Sequence, residues 1–566
     1  MCGIAGVVGL WPNAEATVER MLIKQQHRGP DARQLAVINP EVVLGHNRLS
    51  IIDLSNEANQ PMASANGRFT IVFNGEIYNY LELKQLVPSY PFRTKSDTEV
   101  LLALYEKFGA AMLDKLNGMF AFAIWDNQEQ LLFAARDRFG VKPFYYVTDT
   151  RGLLFASEIP TLFAAGIARE PNMPVWVAYL SNGSYGSGQH TFWRQILQLP
   201  AGSTLTFSKG QLKISSWYNF VEAVNVQAHN ATLNQYWEQE YRAILNDAVA
   251  LRFRADVPVG FNISGGLDSS TLLALVNSAY PGGMIEAFTF TTGHPQYDEL
   301  PWVEAMIAQT GNPLHNCELQ AAEVPELAAT ISSHQMEPYG GLPTIAYSNL
   351  FMEARKRGII VLLDGQGMDE AWAGYDYYLK GTNSVVQGVS SSPLRADVLL
   401  PSLAREAFAE HYPKPFESRI QNLQYRDLFY TKIPRALRFN DRVSMLHSTE
   451  LREPFLDYRL VEIAFARRDD EKIRNGQQKW MLRQIAAEKL GNSIALAPKR
   501  PVQTPQREWL RNELKDWAQH HIDLFSNYDF VDKAKVKKYW NEFLNSDAVD
   551  NSFFVWQWIN TALILQ

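Results

Sequence analysis

The 566-residue chain has two cysteines, Cys2 and Cys317, too few for a disulfide framework and without the spacing of a thiolate metal site. It has no apolar run near the roughly 18 residues of a membrane span. Its amino end lacks the basic and apolar regions of a secretory leader, so a cytoplasmic protein with no membrane partner is expected. Positive charge is not in excess. At a net charge of -7, a nucleic-acid partner gripped through phosphate contacts is not expected. No internal repeat and no low-complexity segment is present, which excludes a repeat array. What remains is an ordinary globular composition, 46% hydrophobic and 20% charged. The chain is too long for one core, and the usual domain size gives roughly two to four domains.

One stretch organises the rest: Ser264-Gly265-Gly266-Leu267-Asp268-Ser269-Ser270, after the apolar run Val257 to Ile263 and before Thr271 to Val276. The first run reads as a buried strand and the last as the start of a helix, whose free N–H groups face whatever the loop holds. Two glycines allow close backbone approach to an anion and the serines add donors, so the loop reads as a phosphate cradle. Asp268 would repel phosphate unless a cation lies between them, which points to a magnesium nucleotide. The loop lacks the Lys-Ser/Thr ending of a Walker loop and the three spaced glycines of a dinucleotide fingerprint. It resembles the SGGLDSS pyrophosphate loop of ATP-pyrophosphatases, which adenylate a carboxylate or a carbonyl-like oxygen.

Cys2 follows Met1, and its small side chain permits removal of that methionine. The exposed α-amine, with a pKa of about 8, could then take the thiol proton. Taken alone, Cys2 reads better as a buried small residue opening the strand Gly3 to Gly9. The series that follows it is more telling: His27-Arg28-Gly29-Pro30-Asp31, Gly45-His46-Asn47-Arg48-Leu49-Ser50-Ile51-Ile52-Asp53, Phe73-Asn74-Gly75-Glu76-Ile77-Tyr78-Asn79 and Lys95-Ser96-Asp97-Thr98-Glu99. Over about the first 215 residues this resembles the class II glutamine amidotransferase domain. The resemblance implies an α+β amino-terminal-nucleophile sandwich (αββα) with Cys2 as nucleophile. It also implies a glutamine pocket of Arg48, Leu49, Ser50, Ile51, Ile52, Asn74, Gly75, Glu76 and Asp97. The residue types suit those roles: Arg48 for the α-carboxylate, Glu76 and Asp97 for the ammonium, and Asn74 and Gly75 for the oxyanion. Asn74-Gly75 also reads as a hairpin turn between Thr70 to Phe73 and Ile77-Tyr78.

Short apolar runs and turns alternate from Gly118 to Glu158, as strands of a packed sheet do. Arg136 to Pro143 matches the same family's RDRxGxKP wording. The first domain is expected to span 1–218, a polar, patternless linker 219–232, and a second domain 233–566. In the latter, Ile285 to Phe290 and Ile359 to Leu363 read as buried strands, the last running into Asp364-Gly365-Gln366-Gly367-Met368-Asp369-Glu370. Strands alternating with helices give an α/β domain with a parallel sheet, whose ligands lie beyond the strands' carboxyl ends. There Asp268 and Asp369 could share magnesium, although Asp369 alone would also serve as a helix cap.

Arg435 to Met445, Glu450 to Asp457 and Lys479 to Arg483 resemble segments of asparagine synthetases, so nearly the whole chain resembles that glutamine-hydrolysing family. The resemblance implies an adenine-nucleotide α-hydrolase-like second domain. ATP would be held by Ile263, Ser264, Gly265, Gly266, Asp268, Ser269, Ser270, Phe290, Asp364, Gly365 and Lys479. Phe290 reads equally as core packing. The resemblance also implies Mg2+, glutamine and aspartate as partners, and a homodimer as in many relatives. One departure bears on the acceptor. The family's Ser-Gly-Glu-Gly-Ser-Asp-Glu places a glutamate at the intermediate-forming position, where this chain has Gln366, which cannot take a proton. Another group takes the proton, or the acceptor is another carboxylate, such as a sugar uronic acid or a peptide. Intramolecular amide closure is a third possibility, against which the intact Cys2, Arg48, Asn74 and Asp97 count.

Overall fold

The fold is taken from a computed structural model, which describes residues 1–186, 188–233, 236–280, 284–379, 393–497, 503–545 and 551–566. The first part of the chain supplies β1 (Gly3–Gly9), β2 (Ala32–Asn39), β3 (Val42–Arg48), β4 (Met62–Ala63), β5 (Phe69–Ile77), β6 (Gly118–Asp126), β7 (Leu131–Arg136), β8 (Tyr145–Asp149), β9 (Gly152–Ala156), β10 (Leu197–Gln198), β11 (Ser203–Ser208) and β12 (Gln211–Ser216). They form two six-stranded sheets, ordered β10-β8-β9-β1-β3-β2 and β12-β11-β7-β6-β5-β4. Successive side chains point to opposite faces of each sheet. Ile4, Leu44, Val72, Ala123 and Phe155 pack between the sheets. Val7 and Val43 face Val18, Met21 and Leu22 of the helix Ala14–Lys24. Ile71 and Phe73 face Leu101 and Leu104 of the helix Asp97–Phe108. Both sheets are therefore buried on both faces, and the result is the αββα sandwich.

Two segments differ from the reading of their sequence. Asn74-Gly75 makes no turn: β5 runs through both, pairing Asn74 with Ala121 and Gly75 with Phe120. Pairing along the whole apolar strand outweighs a two-residue turn preference. Gly75 is needed for closeness, since a Cβ there would lie 2.1 Å from the Met119 carbonyl oxygen. The expected patternless segment 219–232 falls largely within a helix, Phe220–Leu233. Phe220 and Val224 are buried one turn apart, and the Phe220 ring lies 4.8 Å from that of Phe465. Two anchors on one face suffice to dock it.

After the helix Trp237–Arg252 come β13 (Val259–Asn262), β14 (Ala287–Thr291), β15 (Leu314–Glu318), β16 (Val361–Leu363) and β17 (Glu450–Arg452), in a five-stranded sheet ordered β15-β14-β13-β16-β17. All its pairings are parallel. Strand order runs outward from β13 in one direction and from β16 in the other, so the switch point lies between these two strands. Ligand crevices open at the carboxyl ends of strands at such points. No helix among the described residues is long and apolar enough to cross a membrane.

Candidate active sites

In the first site Cys2 is buried just ahead of β1. Its backbone N–H donates to Asn74 Oδ1 at 3.0 Å, and its carbonyl accepts from Arg28 Nε at 3.0 Å. The thiol lies 3.9 Å from the Leu49 carbonyl. Burial pushes the thiol pKa up, against the pull of the amino-terminal ammonium. That ammonium belongs to Met1, which is buried and 2.8 Å from Glu450 of β17.

The bond from Cys2 orients the Asn74 amide, leaving Nδ2 buried and, among the described residues, without a partner. A buried donor left unpaired costs about 1–3 kcal/mol, and a donor held in this way suits a developing oxyanion. Asn74→Ala is expected to slow glutamate release from glutamine by about 10²–10³-fold; a loss below tenfold would remove Nδ2 from that role.

Arg48, at the end of β3, is also buried. Its Nη1 donates to the Ser55 carbonyl at 2.6 Å and Asn59 Oδ1 at 2.8 Å, and its Nη2 to the carbonyls of Asp53 and Ile52. The fork expected to grip a carboxylate is thus tied to its own loop, and a bidentate grip requires those carbonyls to move. On that loop the Ser50 N–H donates to Asp31 at 2.7 Å, and the Ile51 carbonyl accepts from the Asp256 N–H at 2.8 Å. Leu49, Ile51 and Ile52 pack in one buried cluster with Met1.

Glu76 and Asp97 lie close enough for their carboxyls to act on each other. Asp97 accepts from the Ile77 N–H at 2.9 Å, and burial pushes its pKa up to about 6. Burial and the Glu450 carboxylate raise Glu76 well above the usual range. Arg452 lies 3.5 Å from Glu76 and 2.6 Å from Glu450. Burial opposes ionisation of Glu450, but the Met1 ammonium and Arg452 outweigh it and hold the carboxyl down at about 2. Sequence reasoning missed Glu450 and Arg452 as part of this pocket, because they belong to the edge strand of the other domain.

In the second site the loop after β13 enters the helix Leu267–Ala279, with Gly266 at its N-cap. The Ser269 hydroxyl donates to the Ser264 carbonyl at 2.8 Å and accepts from the Ser264 N–H at 3.1 Å, folding the loop on itself. Ser270 donates to the Gly266 carbonyl at 2.6 Å. The Gly265 N–H donates to Glu299 at 3.0 Å, a carboxylate that the sequence reading did not find. Across the switch point, a Cβ on Gly365 would come within 3.3 Å of the Ser269 nitrogen, so the two loops touch. Asp364 accepts from its own Gly365 N–H at 2.6 Å and from Asn262 Nδ2 at 3.4 Å. Burial pushes its pKa up to about 6. Gln366 is half-buried on the same loop.

Lys479 Nζ lies 2.7 Å from both Asp268 and Asp369. Burial opposes its charge, but the two carboxylates outweigh it and raise its pKa. Gly374 makes room for this knot, since a Cβ there would lie 2.0 Å from Asp369 Oδ1 and 2.1 Å from Lys479 Cε. No motif drew attention to that glycine. Phe290, at the end of β14, is half-buried, 5.5 Å from the Tyr347 ring. Together with Ile263, Ser264 and Asp298 these rings line a cavity of about 20 Å³. Among the described residues no three His, Cys, Asp or Glu side chains could hold a metal ion. Two converging carboxylates beside the Ser264–Ser270 loop nonetheless fit magnesium, which keeps waters and other oxygen ligands in its shell.

The family profile described as a glutamine amidotransferase domain matches residues 1–218, and the one described as asparagine synthase matches residues 240–566. The chain is 29% identical to asparagine synthetase (glutamine-hydrolyzing) 1 of Bacillus subtilis (strain 168), over 98% of this chain and 95% of that protein. It is 32% identical to the putative asparagine synthetase (glutamine-hydrolyzing) 2 of Methanocaldococcus jannaschii, over 67% of this chain and 77% of that protein. A solved structure described as the allosteric regulatory enzyme of purine biosynthesis aligns with 56% of this chain and 80% of its own, at 17% identity and a TM-score of 0.31.

Proposed function

The chain belongs to the asparagine synthase family, and from that premise we propose that it converts a carboxylate to an amide, with L-aspartate as acceptor, glutamine as nitrogen source, and ATP cleaved to AMP and pyrophosphate. One observation carries the reading: Asp268, Asp369 and Lys479 converge at the carboxyl ends of β13 and β16. The other half of the same chain sets Cys2 beside an amide donor that has no partner among the described residues.

With Met1 removed, the α-amine of Cys2 takes the thiol proton, directly or through water. The thiolate attacks the side-chain amide of glutamine, Asn74 Nδ2 and the Gly75 N–H stabilise the oxyanion, and ammonia leaves a glutamyl thioester. Glu76 and Asp97 receive the substrate ammonium. At the second site the acceptor carboxylate attacks the α-phosphorus, giving an acyl-adenylate and pyrophosphate. Ile263, Phe290, Asp364 and Gly365 hold the nucleotide, and Lys479 stabilises the leaving pyrophosphate. Magnesium bound by Asp268 and Asp369 would neutralise phosphate charge there. Ammonia passing between the domains, shielded from water that would protonate it, displaces AMP.

A second reading rests on Gln366 and Asp364, which stand where the family has glutamate and serine: the same chemistry on a sugar uronic acid or a peptide carboxylate. The test is a panel of acceptors with glutamine and MgATP, measuring pyrophosphate and amide. Aspartate is expected to release both stoichiometrically. Background pyrophosphate with aspartate, and release with a uronic acid, would replace the acceptor and keep the chemistry.

A further inference from the structure

Amide formation sheds a proton, and the position that deals with it in the family is Gln366 here, whose amide is not basic. On the reading proposed above, we propose that Glu453 is the proton acceptor, placed where ammonia passes from one domain to the other.

β16 and β17 pair in parallel, Leu363 opposite Arg452, and the Asp364 N–H donates to the Arg452 carbonyl at 2.9 Å. Glu453 is the residue after β17, as Asp364 is the residue after β16. The two side chains therefore stand side by side at the carboxyl ends of neighbouring strands, where this fold places its ligands, and Gln366 lies two residues beyond Asp364.

Glu453 also belongs to the domain interface. It is buried and lines a cavity of about 20 Å³ together with Tyr78, Met119, Val141 and Leu456. That volume suits a single water-sized molecule, and ammonia is of that size. Tyr78, Met119, Val141 and Leu456 also belong to the buried cluster that holds Met1, Leu49 and Ile51. The apolar surroundings of Cys2 are thus continuous with the wall on which Glu453 sits. Among the described residues its carboxyl accepts no hydrogen bond, whereas Asp364 is already engaged by its own loop. A nearly buried carboxyl left unengaged is free to take a proton from an arriving molecule.

The charges around it come from several elements: Lys142 and Asp137 before β8, Asp364 after β16, and Asp441 on the helix Lys432–Leu446. Tyr78, Arg138, Arg252 and Tyr458 are further titratable or charged groups of the cavity wall. Burial first, and then the neighbouring carboxylates against Lys142, push the Glu453 carboxyl up to about 8. A base of that strength is matched to work near neutrality.

The step balances. The ammonia lone pair forms the C–N bond at the acyl carbon, the C–O bond to the phosphate breaks, and AMP leaves with its electron pair. One N–H proton goes to the Glu453 carboxylate, which later returns it to solvent.

The test separates adenylation from amide formation. With the acceptor that supports wild-type exchange in the panel above, Glu453→Gln is expected to keep ATP–pyrophosphate exchange within about threefold and to lose about 10²-fold in amide formation from added ammonia. With hydroxylamine, a less basic nucleophile whose adduct sheds its proton more readily, the loss should be under about tenfold. Corrected for free ammonia, the wild-type amide step should rise with pH and level off above about 8, while the variant stays flat; Glu453→Asp should regain part of the rate. If Glu453→Gln does not fold, Glu453→Asp carries the same comparison of exchange with amide formation. Exchange and amide formation falling together, amide formation within threefold of wild type, or the same pattern in Asp364→Asn alone would each overturn the inference. Absence of wild-type exchange with every acceptor would overturn the functional reading, and this one with it.

Discussion

Cys2→Ala is expected to abolish glutamine-dependent amide formation while leaving synthesis from added ammonium chloride close to wild type. The substitution removes one sulfur atom from a buried position and leaves the backbone contacts to Asn74 and Arg28 available, so the pocket should keep its shape. What it removes is the nucleophile, and loss of a nucleophile of this kind costs about 10⁴-fold or more in hydrolysis. Glutamate release and amide formation, measured in parallel with each nitrogen source, give the answer. Loss of both activities would mean that the two sites are not separable, and the two-step reading would fail.

The second large effect is expected at Lys479. Lys479→Met should lower pyrophosphate formation by about 10³-fold, because the charge that meets the developing negative charge on the leaving group is gone. Glutamate release in the absence of ATP should be unchanged, since that chemistry occurs in the other domain. The variant also removes the ammonium that lies 2.7 Å from both the Asp268 and the Asp369 carboxylates, and with it part of the positive charge that offsets them. Magnesium chloride alone should therefore raise the melting temperature of the variant more than that of the wild type. Retention of a tenth of the pyrophosphate activity would remove Lys479 from the leaving-group role, and an equal magnesium response would separate the two aspartates from the metal.

Much of this site was legible before any coordinates, because the chemistry sits in loops whose conformation is local. Ser264 to Ser270 lies between an apolar strand and a helix start, the setting in which that pattern is expected to turn N–H groups toward an anion. The misread segments depended on partners far away. Asn74-Gly75 has the composition of a turn, yet the apolar strand β6 pairs along the full length of β5. Residues 220–233 show little pattern, yet Phe220 finds Phe429 and Phe465.

By itself the sequence determined where the reactive residue types stand: a thiol behind the first residue, a Gly-Ser loop with its aspartate, and a second acidic loop at the end of another strand. These needed only neighbouring residues. The tertiary structure alone decided how the two halves meet. Glu450 and Arg452 enter the Cys2 pocket, Asp268 and Asp369 share Lys479, and Glu453 stands beside Asp364 at the interface. A parallel sheet brings together strand ends that are remote in the chain, and charges become partners only when burial removes the water that would otherwise screen them.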